Sequence, residues 1–220
     1  MKISLIIPAK GSSQRLKNKN LLLLSKKSLI YRACEKCLKS KYIDTVYIDT
    51  ESDMILESVS DLIDKGLKVI KRPKSLSTNK TSGNDLIVFE QSQIDECDLV
   101  LHTYCTSPLI TIETIDMCIE EFLNNPEYDS FFSSVHFQEY VWVDSKPLNF
   151  DLEKLPNSFD LPTNMSVETH GLYGIKYDTL TKVKRRLGER VLPIEIPRIQ
   201  SLDINNYEDF KLAEILWNKN

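Results

Sequence analysis

The sequence predicts an α/β protein with three layers and a mainly parallel central sheet. Continuous β-branched and leucine runs, such as ISLIIP at residues 3–8, are typical of strands that are covered on both faces. These runs alternate with stretches in which apolar residues recur at helical spacing. Such a succession of strands and helices requires right-handed crossovers, and it therefore favours a doubly wound sheet with helices on both faces.

Each predicted strand is a short apolar run, and each predicted helix has one apolar face. In the first helix, for example, Leu29, Ala33 and Cys37 follow one another at intervals of about one turn. Strands are expected at residues 3–8, 45–50, 67–72, 98–104 and 129–135, with a sixth at the start of ETHGLYGIKYDTL. Helices are expected over 29–38, 55–63 and 111–123, after the sixth strand, and along 207–217.

The segment 136–164 interrupts this alternation. Its first part, EYVWVDSKPLNF, alternates between apolar and polar residues like a half-exposed hairpin. Its second part, LPNSFDLPTN, has two prolines and is typical of irregular chain. The sequence therefore predicts a single domain over 1–220 with an inserted arm at about 136–164.

Composition limits the class of protein. The 220 residues have 41% hydrophobic side chains and a formal net charge of −4, which allows one full core and argues against general nucleic-acid binding. No apolar run is long enough to cross a bilayer, and the first residues lack the pattern of a signal peptide. Five cysteines without a framework spacing suit reduced thiols. We expect a cytoplasmic protein.

The first strand runs into a loop with a high concentration of positive charge. Within IPAKGSSQRLKNKN, at residues 7–20, lie Lys10, Arg15, Lys17 and Lys19. In an open parallel sheet, the loop after the first strand is the usual phosphate-binding position. The loop matches neither GxGxxG nor GxxxxGK[ST], so side-chain cations rather than backbone amides are expected to bind the phosphates. The alternative is a solvated loop whose charges serve solubility.

Five segments together resemble one protein family. IPAKGSSQRLKNKNL resembles the IPARxxSxRxxxKN signature of the CMP-sialic acid synthetase family, cytidylyltransferases that activate acidic eight-carbon and nine-carbon sugars. The other four occur in the family's order: KRPKSLSTNKTSG resembles RPxxLAxDxAS, TSPLIT resembles PTSPLR, HGLYGIKYDTL resembles NGAIYI followed by a helix, and SLDINNYEDFKLAE resembles DIDxxxDxxxAE. The resemblance covers nearly the whole chain.

The resemblance implies a Rossmann-like nucleotide-diphospho-sugar transferase fold and a single in-line displacement. The anomeric hydroxyl of an acidic 2-keto-3-deoxy sugar would attack the α-phosphorus of CTP and release pyrophosphate. Lys10, Arg15 and Lys19 would hold the triphosphate and, with Asp203, take part in catalysis. The implied nucleotide contacts are Ala9, Lys10, Gly11, Ser12, Arg15, Lys19, Asn20 and Ser77. Ser77 equally suits turn chemistry.

The implied reaction requires Mg²⁺, because a metal that bridges phosphate oxygens stabilises the leaving pyrophosphate. Asp203 is the first candidate ligand, and Asn205 should lie on the same face because side chains two residues apart on a strand do so. The family has a second aspartate where this chain has Asn205, which offers a carbonyl oxygen but no charge. Asp209 is expected instead to stabilise the first turn of the final helix.

The implied sugar side departs further from the family pattern. Tyr104 stands where the family has a glutamine, while His170 and Glu168 replace an asparagine and an arginine. These departures indicate a sugar with different substituents. Lys146 and Arg198 are the candidates for binding its carboxylate, and His170 is more often structural than a catalytic base in such a position. The expected sugar contacts are Tyr104, Thr106, Ser107, Glu168 and His170.

Two other functions remain open: a nucleotidyltransferase of the same fold that uses another sugar or base, and a catalytically weak nucleotide-binding homologue. Tyr140 and Trp142 in the arm could stack on a ligand or contact a second protomer, and the resemblance implies a homodimer that pairs through the arm. Cys34 and Cys37 form a CxxC spacing on the apolar face of a helix, so buried, inert thiols are expected. The remaining two histidines are expected to be structural: His102 and His136.

Overall fold

The computed structural model describes residues 1–13 and 15–218, and the secondary structure there follows the expected alternation. The strands are β1 (Ile3–Pro8), β2 (Leu23–Leu24), β3 (Lys27–Ser28), β4 (Thr45–Thr50), β5 (Lys68–Lys71), β6 (Leu99–His102), β7 (Ser130–His136), β8 (Trp142–Val143), β9 (Lys146–Pro147), β10 (Ser166–Lys176) and β11 (Val191–Glu195). The helices are α1 (Leu29–Cys37), α2 (Asp53–Ser58), α3 (Ser60–Ile63), α4 (Gly83–Gln91), α5 (Ile112–Leu123), α6 (Tyr177–Val183) and α7 (Tyr207–Trp217).

Within the described part of the chain, seven strands form the central sheet, in the order β11-β7-β10-β6-β1-β4-β5. Strands β5, β4, β1 and β6 run parallel to one another, and β11 runs parallel to β7. Strand β10 is antiparallel to both of its neighbours, β6 and β7. The N-terminal half of β10 therefore reaches the same edge of the sheet as the carboxyl ends of the parallel strands. The mainly parallel sheet is confirmed.

The core lies on both faces of the sheet, which gives the three layers that the sequence predicts. All six residues of β1 are buried. Leu5 and Ile7 pack in the core that includes α1 and α5, whereas Ile6 between them packs in a second core with Ile87 of α4 and Leu180 of α6. A strand with apolar side chains on both faces needs helices on both, so the continuous run ISLIIP fits this position.

Short polar side chains begin several helices. The Ser28 hydroxyl accepts a hydrogen bond from Tyr31 N–H at the start of α1, and Asn206 and Asp209 form a capping box at the start of α7. This is the first-turn role expected of Asp209. Among the residues that the structure describes, the longest helix is α5, with 12 residues. Within the ranges 1–13 and 15–218, no helix has the length and apolar character needed to cross a membrane.

Three features differ from the sequence predictions. The helix expected over 55–63 is broken at Val59, where φ is −122°, and the short α3 that follows leaves Ile63 exposed. Helix α4 has no counterpart among the predictions, because few of its residues are buried apolar ones. Strand β11 has none either. It is an edge strand that contains Pro193, and proline weakens the sequence signal of a strand.

The arm is a hairpin followed by irregular chain. Strands β8 and β9 pair with each other, and the ring of Phe150 packs edge-on against those of Tyr140 and Trp142, with ring centroids 5.1 and 5.3 Å apart. Asn149 closes the hairpin, since its amide nitrogen donates to Glu139 O and its oxygen accepts from the N–H of Val141. The arm therefore has its own local hydrogen bonds rather than a place in the central sheet.

Four ionisable side chains are buried where α4 covers strands β4 to β6. The Arg72 guanidinium donates two hydrogen bonds to Asp49 Oδ2, at 2.9 and 2.6 Å. Next to this pair, His102 Nε2 lies 2.6 Å from Glu90 Oε2. A buried charge without a partner of opposite sign destabilises the folded state. This cluster of four side chains is therefore stable only when its positive and negative charges balance. The structural role expected of His102 agrees with this environment.

Burial changes the proton affinity of this network. It raises the pKa of Asp49 to about 7, with a further contribution from Glu90 and opposition from Arg72, and it raises the pKa of Glu90 to about 7. Burial also lowers the pKa of His102 to about 3, so its imidazole is neutral. We infer that one carboxylate balances the charge of Arg72 while the other carboxyl holds a proton.

This network generates a pH prediction for Glu90→Gln. The folded-state pKa of Glu90 is above its unfolded value of about 4.3, so the folded protein binds the extra proton and loses stability as pH rises toward about 7. Glutamine imitates the protonated carboxyl at every pH. The free energy of unfolding of the variant, relative to the unsubstituted protein, should therefore rise by on the order of 1 kcal/mol or more between about pH 4.5 and about pH 8.

Urea denaturation at several pH values measures this difference. Glu120→Gln, at an exposed position of α5, is the matched control and should show a flat difference across the same range. A difference for Glu90→Gln that does not change with pH would contradict the raised pKa of Glu90.

Candidate functional site

The candidate site lies at the edge of the sheet where the parallel strands end. Ligands in open α/β sheets bind beyond this edge. Here the loop after β1, the loop after β6, the N-terminal half of β10 and the segment 196–206 come together. Ile204 N–H donates to Thr106 O at 2.8 Å, which joins the last of these segments to the loop after β6.

Side chains fix the loop after β1 through hydrogen bonds to its backbone. Gly11 N–H donates to Glu51 Oε1 at 2.9 Å, and a Cβ at Gly11 would lie only 2.7 Å from Ser52 Cβ. The close approach of the loop that follows β4 therefore requires glycine. Further along, Asn20 Nδ2 donates to Lys10 O at 2.9 Å. Asn20 thus connects the end of the loop to its beginning.

A pocket of about 450 Å³ lies beside this loop, and we call it the cation pocket. Lys10 Nζ donates to Asn79 Oδ1 at 2.7 Å, and Lys19 Nζ donates to Ile204 O at 2.7 Å. Burial lowers the pKa of Lys19, and nearby Asp203 opposes the change. None of the described residues that line the pocket is acidic: they are Lys10, Ser12, Ser13, Arg15, Lys19, Asn20, Thr78, Asn79 and Thr81. The pocket suits a polyanion.

Three residues expected to contact a nucleotide do not line the cation pocket. Ala9 is buried, and its N–H is occupied by Asp49 O at 2.8 Å. Gly11 serves the close approach described above. Ser77 follows the 3₁₀ turn Lys74–Leu76, where its hydroxyl lies 3.5 Å from Pro73 O, so its position agrees with turn chemistry.

Sequence reasoning missed four residues that line the pocket. Ser13 belongs to the charged loop itself, and Thr78, Asn79 and Thr81 belong to the stretch that follows the turn after β5. The available signal was the run of hydroxyl and amide side chains in STNKT, just beyond a strand end.

Asp203 lies beside the cation pocket with one oxygen bonded and one free. Its Oδ2 accepts from Asn205 Nδ2 at 2.7 Å and lies 3.6 Å from His170 Nδ1. Its Oδ1 is buried and has no hydrogen-bond partner among the described residues. The bond from Lys19 Nζ to the carbonyl of Ile204, the next residue, holds this carboxylate near the cations.

A divalent cation fits the free oxygen of Asp203, but the chain offers few other ligands. Residues 1–13 and 15–218 contain no group of three or more histidine, cysteine or acidic side chains placed to hold a metal. Mg²⁺ is commonly bound by one or two carboxylates together with phosphate oxygens and water. The Asn205 amide faces Asp203 with its nitrogen, so here Asn205 orients the carboxylate.

A second group of side chains, which we call the tyrosine cluster, continues from Asp203 along the same edge: Tyr104, Glu168, His170, Tyr173 and Arg186. The rings of Tyr104 and His170 lie edge-on, with centroids 6.1 Å apart, and those of Tyr104 and Tyr173 lie 6.2 Å apart. Arg186 Nη2 donates to Glu168 Oε1 at 2.8 Å. The guanidinium also stacks over the ring of Tyr173, 3.8 Å from its centroid.

The tyrosine cluster unites three of the five residues expected on the sugar side. Thr106 contributes its backbone carbonyl to Ile204, and Ser107 is buried in the interior. Both candidate partners of a sugar carboxylate, Lys146 in β9 and Arg198 after β11, are exposed. Arg186 was missed by sequence reasoning, because nothing in KVKRRLGER distinguishes it from its charged neighbours.

A larger cavity, of about 570 Å³, shares no described residue with either group. It lies between α1 and the start of α5, and it includes Lys36, whose ammonium donates to Ile110 O at 2.6 Å. The residues expected to act on a nucleotide or a sugar lie outside its described lining.

Comparisons with known proteins place the chain among cytidylyltransferases. Residues 4–160 match the model of a protein family described as Cytidylyltransferase. The chain is 34% identical over 125 residues to a 3-deoxy-manno-octulosonate cytidylyltransferase of Chloroherpeton thalassium, in a match that covers 57% of this chain and 48% of the relative. It is 32% identical over 130 residues to a pseudaminic acid cytidylyltransferase of Campylobacter jejuni, covering 57% of this chain and 55% of the relative. These matches thus span about half the length of the relatives.

The fold is also found among solved structures. A structure of CMP:2-keto-3-deoxy-manno-octonic acid synthetase complexed with CTP matches 100% of this chain and 99% of its own, with a TM-score of 0.71. The two sequences are 16% identical, so this likeness establishes the fold alone.

Proposed function

The chain belongs to the cytidylyltransferase family, and on that premise we propose that it transfers CMP from CTP to the anomeric hydroxyl of an acidic 2-keto-3-deoxy sugar. The observation that carries the proposal is a cation pocket without a described acidic lining residue, next to a carboxylate with one free oxygen. A polyanion and a metal ion would satisfy these two features together.

The charges of the cation pocket match the tail of a nucleoside triphosphate. A triphosphate carries about four negative charges, and hydrogen bonds from Lys or Arg to phosphate are roughly twice as strong as neutral ones. Lys10, Arg15 and Lys19 line the pocket and supply the cations, while Ser12 and Thr78 supply neutral donors. A bound phosphate would also offset the burial that disfavours the charged form of Lys19.

The proposed step is an in-line displacement at phosphorus. The sugar hydroxyl oxygen forms a bond to the α-phosphorus of CTP, the bond from that phosphorus to the pyrophosphate oxygen breaks, and the hydroxyl proton leaves to solvent. Positioning and charge neutralisation are the tasks of the protein in such a reaction. Lys10, Arg15 and Lys19 would hold the phosphates near Asp203.

Asp203 is the residue that would hold Mg²⁺, through its free Oδ1, while Asn205 and His170 flank its other oxygen. The ion, when bound, would neutralise charge on the phosphates of the leaving group. Because Asn205 donates to the carboxylate rather than adding a second charge, we propose a site with one protein carboxylate.

The direct test is pyrophosphate release from CTP with Mg²⁺ and a panel of acidic sugars. Release with CTP but not with the other nucleoside triphosphates would support the proposal. Equal release with another nucleotide would indicate a different nucleotidyltransferase. The single carboxylate favours one further alternative, a nucleotide-binding homologue, which would bind CTP and release no pyrophosphate with any sugar or divalent cation.

Asp203→Asn is predicted to lower turnover by about 100-fold or more, because the metal ligand that stabilises the leaving charge loses its own charge. The Mg²⁺ concentration needed for half-maximal turnover should rise. CTP affinity without Mg²⁺ should stay within about twofold, since the phosphate-binding cations remain. Pyrophosphate release at a series of Mg²⁺ concentrations measures the first two effects.

The matched control is Asp178→Asn, an exposed aspartate on α6. It should leave turnover and the Mg²⁺ response unchanged. A Mg²⁺ titration of Asp203→Asn that superimposes on that of the unsubstituted protein would remove Asp203 from the metal site.

We also propose that two copies pair through the arm. The arm exposes a large amount of apolar surface: Trp142, Val143, Leu148, Leu152, Leu155 and Phe159 are all exposed, and Phe159 is 74% exposed. Apolar surface concentrated in one segment is typical of a protein–protein interface. A second copy of the same arm would cover it.

Light scattering after size-exclusion chromatography tests this pairing. The double substitution Leu155→Glu with Phe159→Glu is predicted to convert a dimer into a monomer, because it places charge in an apolar contact. Ile215→Glu, at an exposed apolar position of α7 outside the arm, is the control and should leave the dimer intact. A monomeric unsubstituted protein would rule out the pairing.

A further inference from the structure

We propose that Glu168 and Arg186 select a sugar that carries an acylamino group at a carbon remote from the reacting centre. This inference rests on the proposed function, because it concerns the sugar bound at the same site. The ion pair between Glu168 and Arg186 belongs to the tyrosine cluster, and the proposed reaction does not use it. The inference gives this pair a role in choosing the sugar.

The pair lies beyond the reacting end of the site. His170 Nδ1 is 3.6 Å from Asp203, the ring of Tyr104 lies next along the edge, and Arg186 Nη1 is 3.5 Å from the Tyr104 hydroxyl. In a 2-keto acid sugar, the reacting hydroxyl and the carboxylate are attached to the same carbon. Both therefore belong at the Asp203 end, and the remote carbons of the sugar extend toward Arg186.

The charge of the pair argues against an ionic substituent. Glu168 Oε1 accepts from Arg186 Nη2 at 2.8 Å and from the Tyr173 hydroxyl at 2.6 Å. The two opposite charges neutralise each other, so neither a carboxylate nor an ammonium group gains a net attraction. A neutral polar group is the better match.

The position of Arg186 beside Glu168 is fixed by contacts with the rest of the protein. A fixed position is needed if the pair is to distinguish one sugar substituent from another. The guanidinium stacks on Tyr173, and Arg186 N–H donates to Asn84 Oδ1 at 3.0 Å, so backbone and side chain are both anchored. The side chains of Arg186 and Glu168 remain 24% and 38% exposed. Within the part of the chain that the structure describes, Glu168 Oε2 has no protein hydrogen bond, and it can accept one from a ligand.

An amide matches this arrangement at both ends. Its N–H donates to a carboxylate oxygen of Glu168, and its carbonyl oxygen accepts from the guanidinium of Arg186 or from the hydroxyl of Tyr104. The acyl carbon chain would meet the ring edges of Tyr104 and His170. A hydroxyl at the same carbon can donate and accept only through a single atom, and it has no acyl group to make the apolar contact. The hydroxyl sugar should therefore be a poorer substrate.

The test compares pairs of 2-keto-3-deoxy nonulosonic acids that differ only in acetamido or hydroxyl at carbon 5, or only at carbon 7. The readout is the ratio of kcat/KM for the two members of a pair, measured by pyrophosphate release. The unsubstituted protein should prefer the acetamido member of at least one pair by about 10- to 100-fold, a range below that of fully buried polar sites because the pair is partly exposed.

Arg186→Lys and Glu168→Gln should bring this ratio to within about threefold of unity while the CTP affinity is unchanged, since lysine lacks the planar fork and glutamine breaks the ion pair. Arg185→Lys is the matched control. Arg185 bonds to Leu187 O and Gly188 O, outside the tyrosine cluster, so its substitution should leave the ratio unchanged.

The outcomes separate this inference from the proposed function. Pyrophosphate release with both members of each pair at equal kcat/KM would overturn the inference and leave the proposed function standing. A preference that survives both substitutions would show that the pair is only structural, and would also overturn it. Binding of CTP without pyrophosphate release in the presence of any sugar would overturn the proposed function and this inference together.

Discussion

One charged hydrogen bond organises the site: Lys19 Nζ donates to Ile204 O at 2.7 Å. It connects the loop after the first strand with a segment near the end of the chain. Ile204 N–H donates in turn to Thr106 O, so the loop after β6 meets the same residue. Three segments distant in sequence are thereby fixed at one point, and Asp203 lies beside the cation pocket as a consequence.

The bond to Ile204 O also brings the Lys19 ammonium close to the carboxylate of the preceding residue, Asp203. Burial lowers the pKa of Lys19, while nearby Asp203 opposes this change, so Asp203 favours the charged form of Lys19. Asp203 Oδ1 has no hydrogen-bond partner among the described residues, and in the proposed function it would bind the metal ion. A triphosphate and a divalent cation would complete both halves of the arrangement, which is why the proposed reaction fits the geometry better than binding of a neutral ligand.

The strands and the main helices were predictable because their signals are local. A run such as ISLIIP is apolar on both faces wherever it lies, and the charged loop follows it directly. The side-chain contacts that shape the site, by contrast, join residues that are far apart in the sequence. The buried network joins side chains from two strands, a helix and a loop, and Glu168 near the start of β10 meets Arg186, which follows α6. Such pairs depend on tertiary packing, which no single stretch of sequence encodes.

Calorimetric titration of CTP into the variants Lys19→Ala and Lys17→Ala measures how much the Lys19 ammonium contributes to CTP binding. The two lysines belong to the same loop, but Lys19 lines the cation pocket and Lys17 is exposed outside it. The proposed phosphate contact of Lys19 predicts that Lys19→Ala weakens CTP binding by about tenfold or more, the value of one charged hydrogen bond, while Lys17→Ala changes it by less than about twofold. Equal CTP affinities for Lys19→Ala and the unsubstituted protein would contradict it.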